Sequence, residues 1–388
     1  MGTAMKEKLS ICFVICGFPP VIGGAERYTM ELAENLASRG HNVRVLTRAS
    51  PTAPGKESLM GGRLDVRRFY STNVPGLRML IFMVRVIWAI FRGRKNIDVI
   101  HAIHAFSPGF IALAASKITG IPLVIRDGPS LDAIGAYVCN PVVKMLMGYT
   151  LKNAMEVYVD HALVEKAYLG IGARRGHIRT LENPVDSGEF KPDPSAKERL
   201  GFRGKFVVLN LGRLQPFKGV EDLINAAPEI NRRVKNAVIL IVGYGPDEAR
   251  LREIAWKTGA KNIVFYGKVP FEKAHEVYAS ADVFVQPSVS AELPNTIIQS
   301  MSAGNAIIAT NLVGSKALLK DGRTAVIIKP GDPKAIAAAV SELHHNPRRM
   351  KALGKNARRL IMERSGWRSH TDAVLGIYRK VIGGAEGD

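Results

Sequence analysis

Three cysteines, Cys12, Cys16 and Cys139, are all that 388 residues contain, and so odd and sparse a set excludes a disulfide framework. Such usage fits a reducing cytoplasm. Cys12 and Cys16 stand in C-x3-C spacing inside an apolar run, where strand alternation would place both on one face. With no histidine or second cysteine pair beside them, they read as small buried hydrophobes rather than a metal or redox pair. Long apolar runs are also missing: no stretch reaches the roughly 20 consecutive apolar residues that cross a bilayer. The apolar run near the start leads straight into FPPVIGG from Phe18 without a small-residue cleavage site, so it reads as a first buried strand rather than a signal peptide. Zinc-finger spacing, an aromatic ladder interleaved with Lys/Arg and a short recognition-helix module are absent, so no nucleic-acid partner is expected. Acidic residues are few, 34 against 54 Lys and Arg. The resulting charge of +20 favours anions, among them nucleotide phosphates and anionic lipid headgroups.

What is present is an alternation. Leu9–Cys16 reads as a strand, Ala25–Arg39 as a helix closed by Gly40, and Asn42–Thr47 as the next strand. Further strands are expected at Ile97–His101 and Leu123–Ile125, around a helix at Gly109–Ile118. The logic restarts near Lys205, with strands at Phe206–Asn210, Ala237–Val242, Asn262–Tyr266, Val283–Gln286, Ala306–Ala309 and Ala325–Ile328, and helices between them. A Pro-, Asp- and Gly-rich stretch from Asn183 suits an exposed linker. Short apolar strands separated by helices argue for parallel sheets covered on both faces, and so for an α/β protein of two facing Rossmann-like domains. Such sheets bind ligands at the carboxyl ends of their strands, which places the expected site in a cleft between the domains.

The segment LRMLIFMVRVIWAIF, Leu77–Phe91, is apolar except for arginines. Arg78, Arg85 and Arg92 recur every seven residues and would form one polar stripe on a helix. Two readings stand: a helix packed on the sheet with its arginines at the surface, or a basic amphipathic element at residues 77–95 lying on an anionic membrane. It is too short to span. Residues 49–74 and 130–147 show no pattern that converts into chemistry.

Five segments in order carry a resemblance: FPPVIGGAERY from Phe18, NPVD from Asn183, GRLQPFKG from Gly212, VGYGP from Val242 and LPNTII from Leu293. Together they resemble the retaining glycosyltransferases of GT-B fold known as family 4, over nearly the whole chain. The resemblance implies an N-terminal acceptor-side domain at 5–187, a C-terminal donor-side domain at 197–364, and a helix at 365–382 crossing back to the first. It implies a nucleoside-diphosphate sugar as donor, with no cofactor and no metal required, and a glycan or lipid-linked acceptor. The location implied is the cytoplasm, with peripheral attachment to the inner membrane face as an open alternative.

Residue by residue, Gly23 and Gly24 would bring backbone N–H groups towards the donor phosphates, two glycines there permitting positive φ. Arg213 and Lys218, five apart before a helix, suit a diphosphate that gains charge as its glycosidic bond breaks. Gly243 and Gly245 would line the base and ribose side. Asn295 and Thr296 open a helix whose N–H groups would face the pyrophosphate.

Several positions depart from the family's pattern. Ala291 and Gln299 stand where two glutamates are usual. Glu292 is offset by one from the first, and covers the donor sugar only if the loop shifts. Gln299 keeps the capacity to bond a ribose hydroxyl pair. Gly128 takes the position where many relatives carry a histidine, and Ala317 one where they often carry a glutamate. Asp127 reads equally as a contact to acceptor or sugar and as a surface-turn residue, while His101 and His104 read as core or edge histidines. These departures keep two alternatives open: another enzyme of the same architecture, such as a nucleotide-sugar epimerase or sugar phosphorylase, and a nucleotide-sugar-binding protein without transfer activity.

Overall fold

The computed structural model describes residues 6–20, 23–70, 72, 74, 77–129, 131–289, 295–311 and 318–385. The chain divides into two compact units, one formed by residues up to Glu182 together with those from Trp367 onward, the other by Asn183–Gly366. In the first unit the order is β1 Ser10–Val14, α1 Gly24–Ser38, β2 Asn42–Arg48, β3 Lys56–Leu59, β4 Leu64–Phe69, α2 Leu77–Gly93, β5 Val99–Ile103, α3 Ser107–Thr119 and β6 Leu123–Asp127. There follow α4 Leu131–Cys139, α5 Pro141–Asn153, β7 Glu156–Val159, α6 Ala162–Ile171 and β8 Ile178–Thr180. The second unit holds α7 Ala196–Arg199, β9 Phe206–Leu211, α8 Val220–Arg233, β10 Ala237–Val242, α9 Glu248–Thr258, β11 Ile263–Gly267 and α10 Phe271–Ala279. It continues with β12 Val283–Gln286, α11 Asn295–Ser302, β13 Ala306–Thr310, β14 Val326–Ile328, α12 Pro333–His345 and α13 Pro347–Arg364, and α14 Trp367–Ala385 closes the chain.

The first sheet runs β3-β4-β2-β1-β5-β6-β7-β8 and is parallel apart from the edge strand β3. The second runs β11-β10-β9-β12-β13-β14 and is parallel throughout. Both are Rossmann-like. Successive residues of β1 divide between two cores, Cys12 and Val14 against α2 and α3, Ile11 and Phe13 against α1 and α14. That is why its sequence reads as unbroken apolar rather than alternating. Cys12 is buried, and burial pushes its thiol up to about 12, holding it protonated; Cys16 lies past the end of β1.

The last helix belongs to the first unit. Val374, Leu375, Ile377, Tyr378 and Val381 are buried in the core they share with α1, each contributing about 2 kcal/mol or more of transfer free energy. A buried polar chain fixes the helix further. His370 Nδ1 donates to the Glu182 carbonyl at 3.1 Å, so its Nε2 accepts from Tyr28 OH at 2.7 Å. Tyr28 in turn accepts from Tyr158 OH at 2.9 Å, and Tyr158 from His101 Nε2 at 3.1 Å. His101 Nδ1 is left to accept from Tyr378 OH at 2.6 Å. One carbonyl thus orders five side chains, and the order requires both histidines to be neutral.

Burial and the nearby Arg126 hold the His370 imidazole down to about 3, and His101 well below its ordinary value. A histidine whose folded pKa is depressed stabilises the fold fully above the unfolded value near 6.5 and loses that contribution as pH falls towards the folded value. Moving from neutrality to about pH 5 is therefore expected to cost roughly 2 kcal/mol from His370 alone, with His101 adding in the same direction. Urea midpoints measured at the two pH values check this; equal midpoints would show that neither histidine is held neutral.

Candidate functional site

In each sheet the chain starts at an inner strand, builds to one side, and then crosses to the other. The crossover points lie between β1 and β5 and between β9 and β12. Loops leaving the carboxyl ends of these strands diverge there and leave a crevice. The sequence-picked residues among those described cluster on these loops.

In the second unit, Arg213 and Lys218 lie on the loop from β9 to α8. Arg213 is exposed and pairs with no carboxylate among the described residues, while Lys218 is half-buried with its ammonium 5.2 Å from the Phe217 ring centre. Lys218 closes a single 3-10 turn, and Gly219 (φ +67) reverses the chain into α8. This turn is clamped from the loop after β12: Val289 N–H and Ser288 Oγ both donate to the Phe217 carbonyl, at 2.9 and 3.0 Å.

A Cβ on Gly219 would stand 2.0 Å from the Pro287 carbonyl oxygen; one on Gly243 (φ +133) would stand 1.8 Å from that of Gly212; one on Gly245, 2.0 Å from that of Leu214. The loops after β9, β10 and β12 therefore pack backbone against backbone. This explains the glycines of VGYGP by loop-to-loop contact, without reference to any ligand.

Asn295 and Thr296 open α11. Asn295 Oδ1 accepts from Asn183 Nδ2 at 3.0 Å, and the Thr296 hydroxyl lies 3.5 Å from Gln286 Oε1 at the end of β12. Gln299 is half-buried, and its Oε1 accepts from the hydroxyl of buried Tyr278 at 3.0 Å, which leaves the amide nitrogen as its remaining polar group. Glu292, with Ala291, and Ala317 lie outside the described residues.

In the first unit the picture differs from expectation in three places. Gly23 caps α1 with φ −138, ordinary extended backbone, so positive φ is not the reason for the glycine. An added Cβ would come within 2.4 Å of the Glu26 carboxylate, which folds back over the helix start as a favourable first-turn acid and would have to turn aside. Nothing stands within 4 Å of a Cβ on Gly24.

Asp127 is neither a surface-turn residue nor a free carboxylate. It is buried and accepts from His104 Nδ1 at 2.9 Å, Ala105 N–H and the Tyr168 hydroxyl, both at 2.6 Å, and Gly128 N–H at 3.0 Å. Burial pushes its acid up, but the bonds from His104, Tyr168 and Ala105 outweigh this and hold it below the ordinary value. An ionised carboxylate fixes His104 as the Nδ1–H tautomer and leaves Nε2 for another partner. His104 itself is strained, at φ +82, and its side chain is 40% exposed at the carboxyl end of β5.

Third, a Cβ on Gly128 would meet the Asp160 carboxylate at 2.4 Å, so a side chain there would need Asp160 to turn aside. His101, by contrast, is a core residue. The pairing of His104 with Asp127 was the signal missed in sequence: two polar residues at the carboxyl ends of adjacent parallel strands, His104 just past β5 and Asp127 the last of β6. Among the described residues no group of three or more His, Cys, Asp or Glu could hold a metal ion.

Two family models match in tandem, Glycosyltransferase Family 4 over residues 22–127 and Glycosyl transferases group 1 over residues 193–360. An uncharacterized glycosyltransferase of Methanocaldococcus jannaschii is 25% identical, over 96% of this chain and 98% of its own. The phosphatidyl-myo-inositol mannosyltransferase of Mycobacterium tuberculosis is 27% identical, over 95% and 97%. Among solved structures, Anabaena HepE in complex with UDP superposes with a TM-score of 0.76 at 19% identity, over 95% of this chain and 99% of that one. The tandem match, in the same order as the two Rossmann-like units, makes the chain a GT-B-fold glycosyltransferase related to the group 1 and family 4 glycosyltransferases.

Proposed function

We propose that the protein moves a sugar from a nucleoside-diphosphate sugar to a glycan or lipid-linked acceptor with retention of anomeric configuration. The observation that carries this reading is the β9–α8 loop, where Arg213 and Lys218 follow β9 at the crossover point of the second sheet. A guanidinium fork and an ammonium held there would stabilise the charge that collects on the departing diphosphate. With Gly243 and Gly245 shaping the neighbouring loops and Asn295, Thr296 and Gln299 on α11, the second unit is the donor side. HepE, similar in fold, was crystallised with UDP, which agrees with a nucleotide-sugar donor. In the first unit His104, aimed by Asp127, offers an imidazole where Gly128 supplies none, and its Nε2 would contact the sugar or acceptor. Retention follows if the acceptor hydroxyl attacks the face from which the diphosphate leaves, the leaving phosphate accepting its proton.

A thermal-shift panel of UDP-, GDP- and ADP-sugars, followed by product analysis with glycan and lipid-phosphate acceptors, tests the reading. Stabilisation by one donor series and a transferred sugar of retained configuration are expected. A changed nucleotide sugar without acceptor would instead identify an epimerase, and binding without transfer or hydrolysis a binding protein.

We further infer peripheral attachment to an anionic membrane through residues 77–95. No described helix is long and apolar enough to cross one. Helix α2 buries only Phe82, Val86 and Ile90, while Leu77, Leu80, Val84 and Trp88 are 47, 50, 57 and 58% exposed along one face, flanked by Arg78, Arg85 and Arg92. The mannosyltransferase relative is named for a lipid acceptor, phosphatidyl-myo-inositol, in keeping with work at a membrane surface. Co-sedimentation with anionic vesicles is expected to weaken in an Arg78→Gln, Arg85→Gln, Arg92→Gln variant; unchanged sedimentation would remove the attachment.

A further inference from the structure

A cavity of about 620 Å³ opens between α2 and the sheet, away from the loops described above. Its walls include four guanidinium groups, Arg44 from β2, Arg67 from β4, and Arg85 and Arg92 from α2, with Trp88 and Gly93. The register explains the grouping. Arg44 pairs with Asp65 across β2 and β4, and alternation puts Arg67 on the same face of β4 as Asp65, the face that α2 covers.

One carboxylate serves two of the four cations. Asp65 Oδ2 accepts from Arg44 Nε at 3.2 Å and from Arg67 Nε at 2.9 Å. Both bonds use the Nε edge, and the Nη groups of these two arginines keep their donors. Arg85 spends one Nη on the Tyr70 carbonyl at 2.8 Å, and Arg92 lies 5.7 Å from the Trp88 ring centre. Gly93 lies directly against the cluster, where an added Cβ would stand 2.8 Å from Arg44 Nη1. Among the described residues Asp65 is the one carboxylate bonded to this group, so the cluster keeps a net positive charge that an anion would offset. Forked donors from several directions suit a group with several charged oxygens, which is a phosphate rather than a single carboxylate.

The surroundings select the source of that phosphate. Trp88 belongs both to the cavity wall and to the exposed apolar face with Leu80 and Val84. A phosphate from solution would have no use for that face. A phospholipid would use both parts, with its headgroup among the arginines and its acyl chains against the apolar residues. We propose that this cavity is a binding site for the phosphate headgroup of an anionic phospholipid, separate from the sugar-transfer site. The proposal rests on the membrane reading for its lipid source and on the arginine cavity for the site itself.

The test uses the full chain and two kinds of probe. Dihexanoyl phosphatidic acid below its micellar concentration reports the cavity without a bilayer, and phosphatidylcholine vesicles with and without phosphatidic acid report attachment. Wild type is expected to bind the soluble probe more tightly than inorganic phosphate, and to sediment with the phosphatidate vesicles only. Arg44→Gln and, separately, the exposed Arg92→Gln are expected to weaken the soluble probe about tenfold or more, the value of a charge-assisted contact. Leu80→Ser with Val84→Ser should leave soluble binding intact and reduce sedimentation. Failure to bind the soluble probe, or binding unchanged in both arginine variants, overturns the cavity site whatever the vesicles do. Soluble binding without vesicle attachment, or equal binding of inorganic phosphate, overturns the lipid assignment.

Discussion

Lys218→Ala is expected to lower kcat/KM for the nucleotide sugar at least about tenfold, the equivalent of roughly 1.4 kcal/mol of transition-state stabilisation. The ammonium stands on the loop from β9 to α8, where in the proposed reading a diphosphate would lie across the crossover point of the second sheet. Its effect should grow as the glycosidic bond breaks, because the leaving group is then at its most negative. The loss should therefore fall on kcat as well as on KM. Folding supplies the control: the turn that carries Lys218 is held by backbone through the Phe217 carbonyl and Gly219, so the urea midpoint should not move. Arg213→Lys offers a second reading of the same site, keeping the charge while losing the fork. Kinetics unaltered in Lys218→Ala would take that residue out of the donor site.

Gly243→Ala is expected to be among the most damaging single-methyl changes in the second unit, costing about 4 kcal/mol or more. Two independent costs coincide. The backbone at φ +133 is one that alanine rarely adopts, and its Cβ would lie 1.8 Å from the Gly212 carbonyl oxygen, a backbone atom unable to swing aside. Relief requires the β9 and β10 loops to separate, and Arg213 follows Gly212 directly, so donor affinity should fall with stability. Gly24→Ala is the contrast. It lies in the first turn of α1 with nothing within 4 Å of a new Cβ, and should be neutral or stabilising by up to about 1 kcal/mol. Urea midpoints of the two variants decide the matter; a Gly243→Ala protein as stable as wild type would mean that the loops are not packed as described.

Much of this architecture was legible in the residues themselves. Strands such as AVILIV at β10 are buried on both faces and announce themselves by apolar composition alone. The β3–β4 pair was not legible, because LDVRRF mixes its inward apolar residues with charges on the face that α2 covers. Arg213 and Lys218 could be picked because they follow one strand closely and need no partner to be noticed. Asp127 could be named only as an open alternative and its pairing with His104 not at all, since the two meet only through the parallel register of β5 and β6, with Ile103 opposite Arg126. Helix α2 was half legible: the arginine period marked its polar stripe, but not which apolar residues would stay exposed. That depends on packing against α3 and β4, which periodicity does not encode.

The docking of α14 also sets an order of events during synthesis. The second unit is a single continuous stretch that is complete once Gly366 has emerged, whereas the first unit waits for the far end of the chain. Until then, the faces of Leu32, Leu36 and Phe13 that α14 shares have no cover, and Tyr28 has no His370 to donate to. The part of the protein made first is therefore the part that matures last, and a chain cut after Gly366 would keep the second unit whole and leave the first without one of its walls.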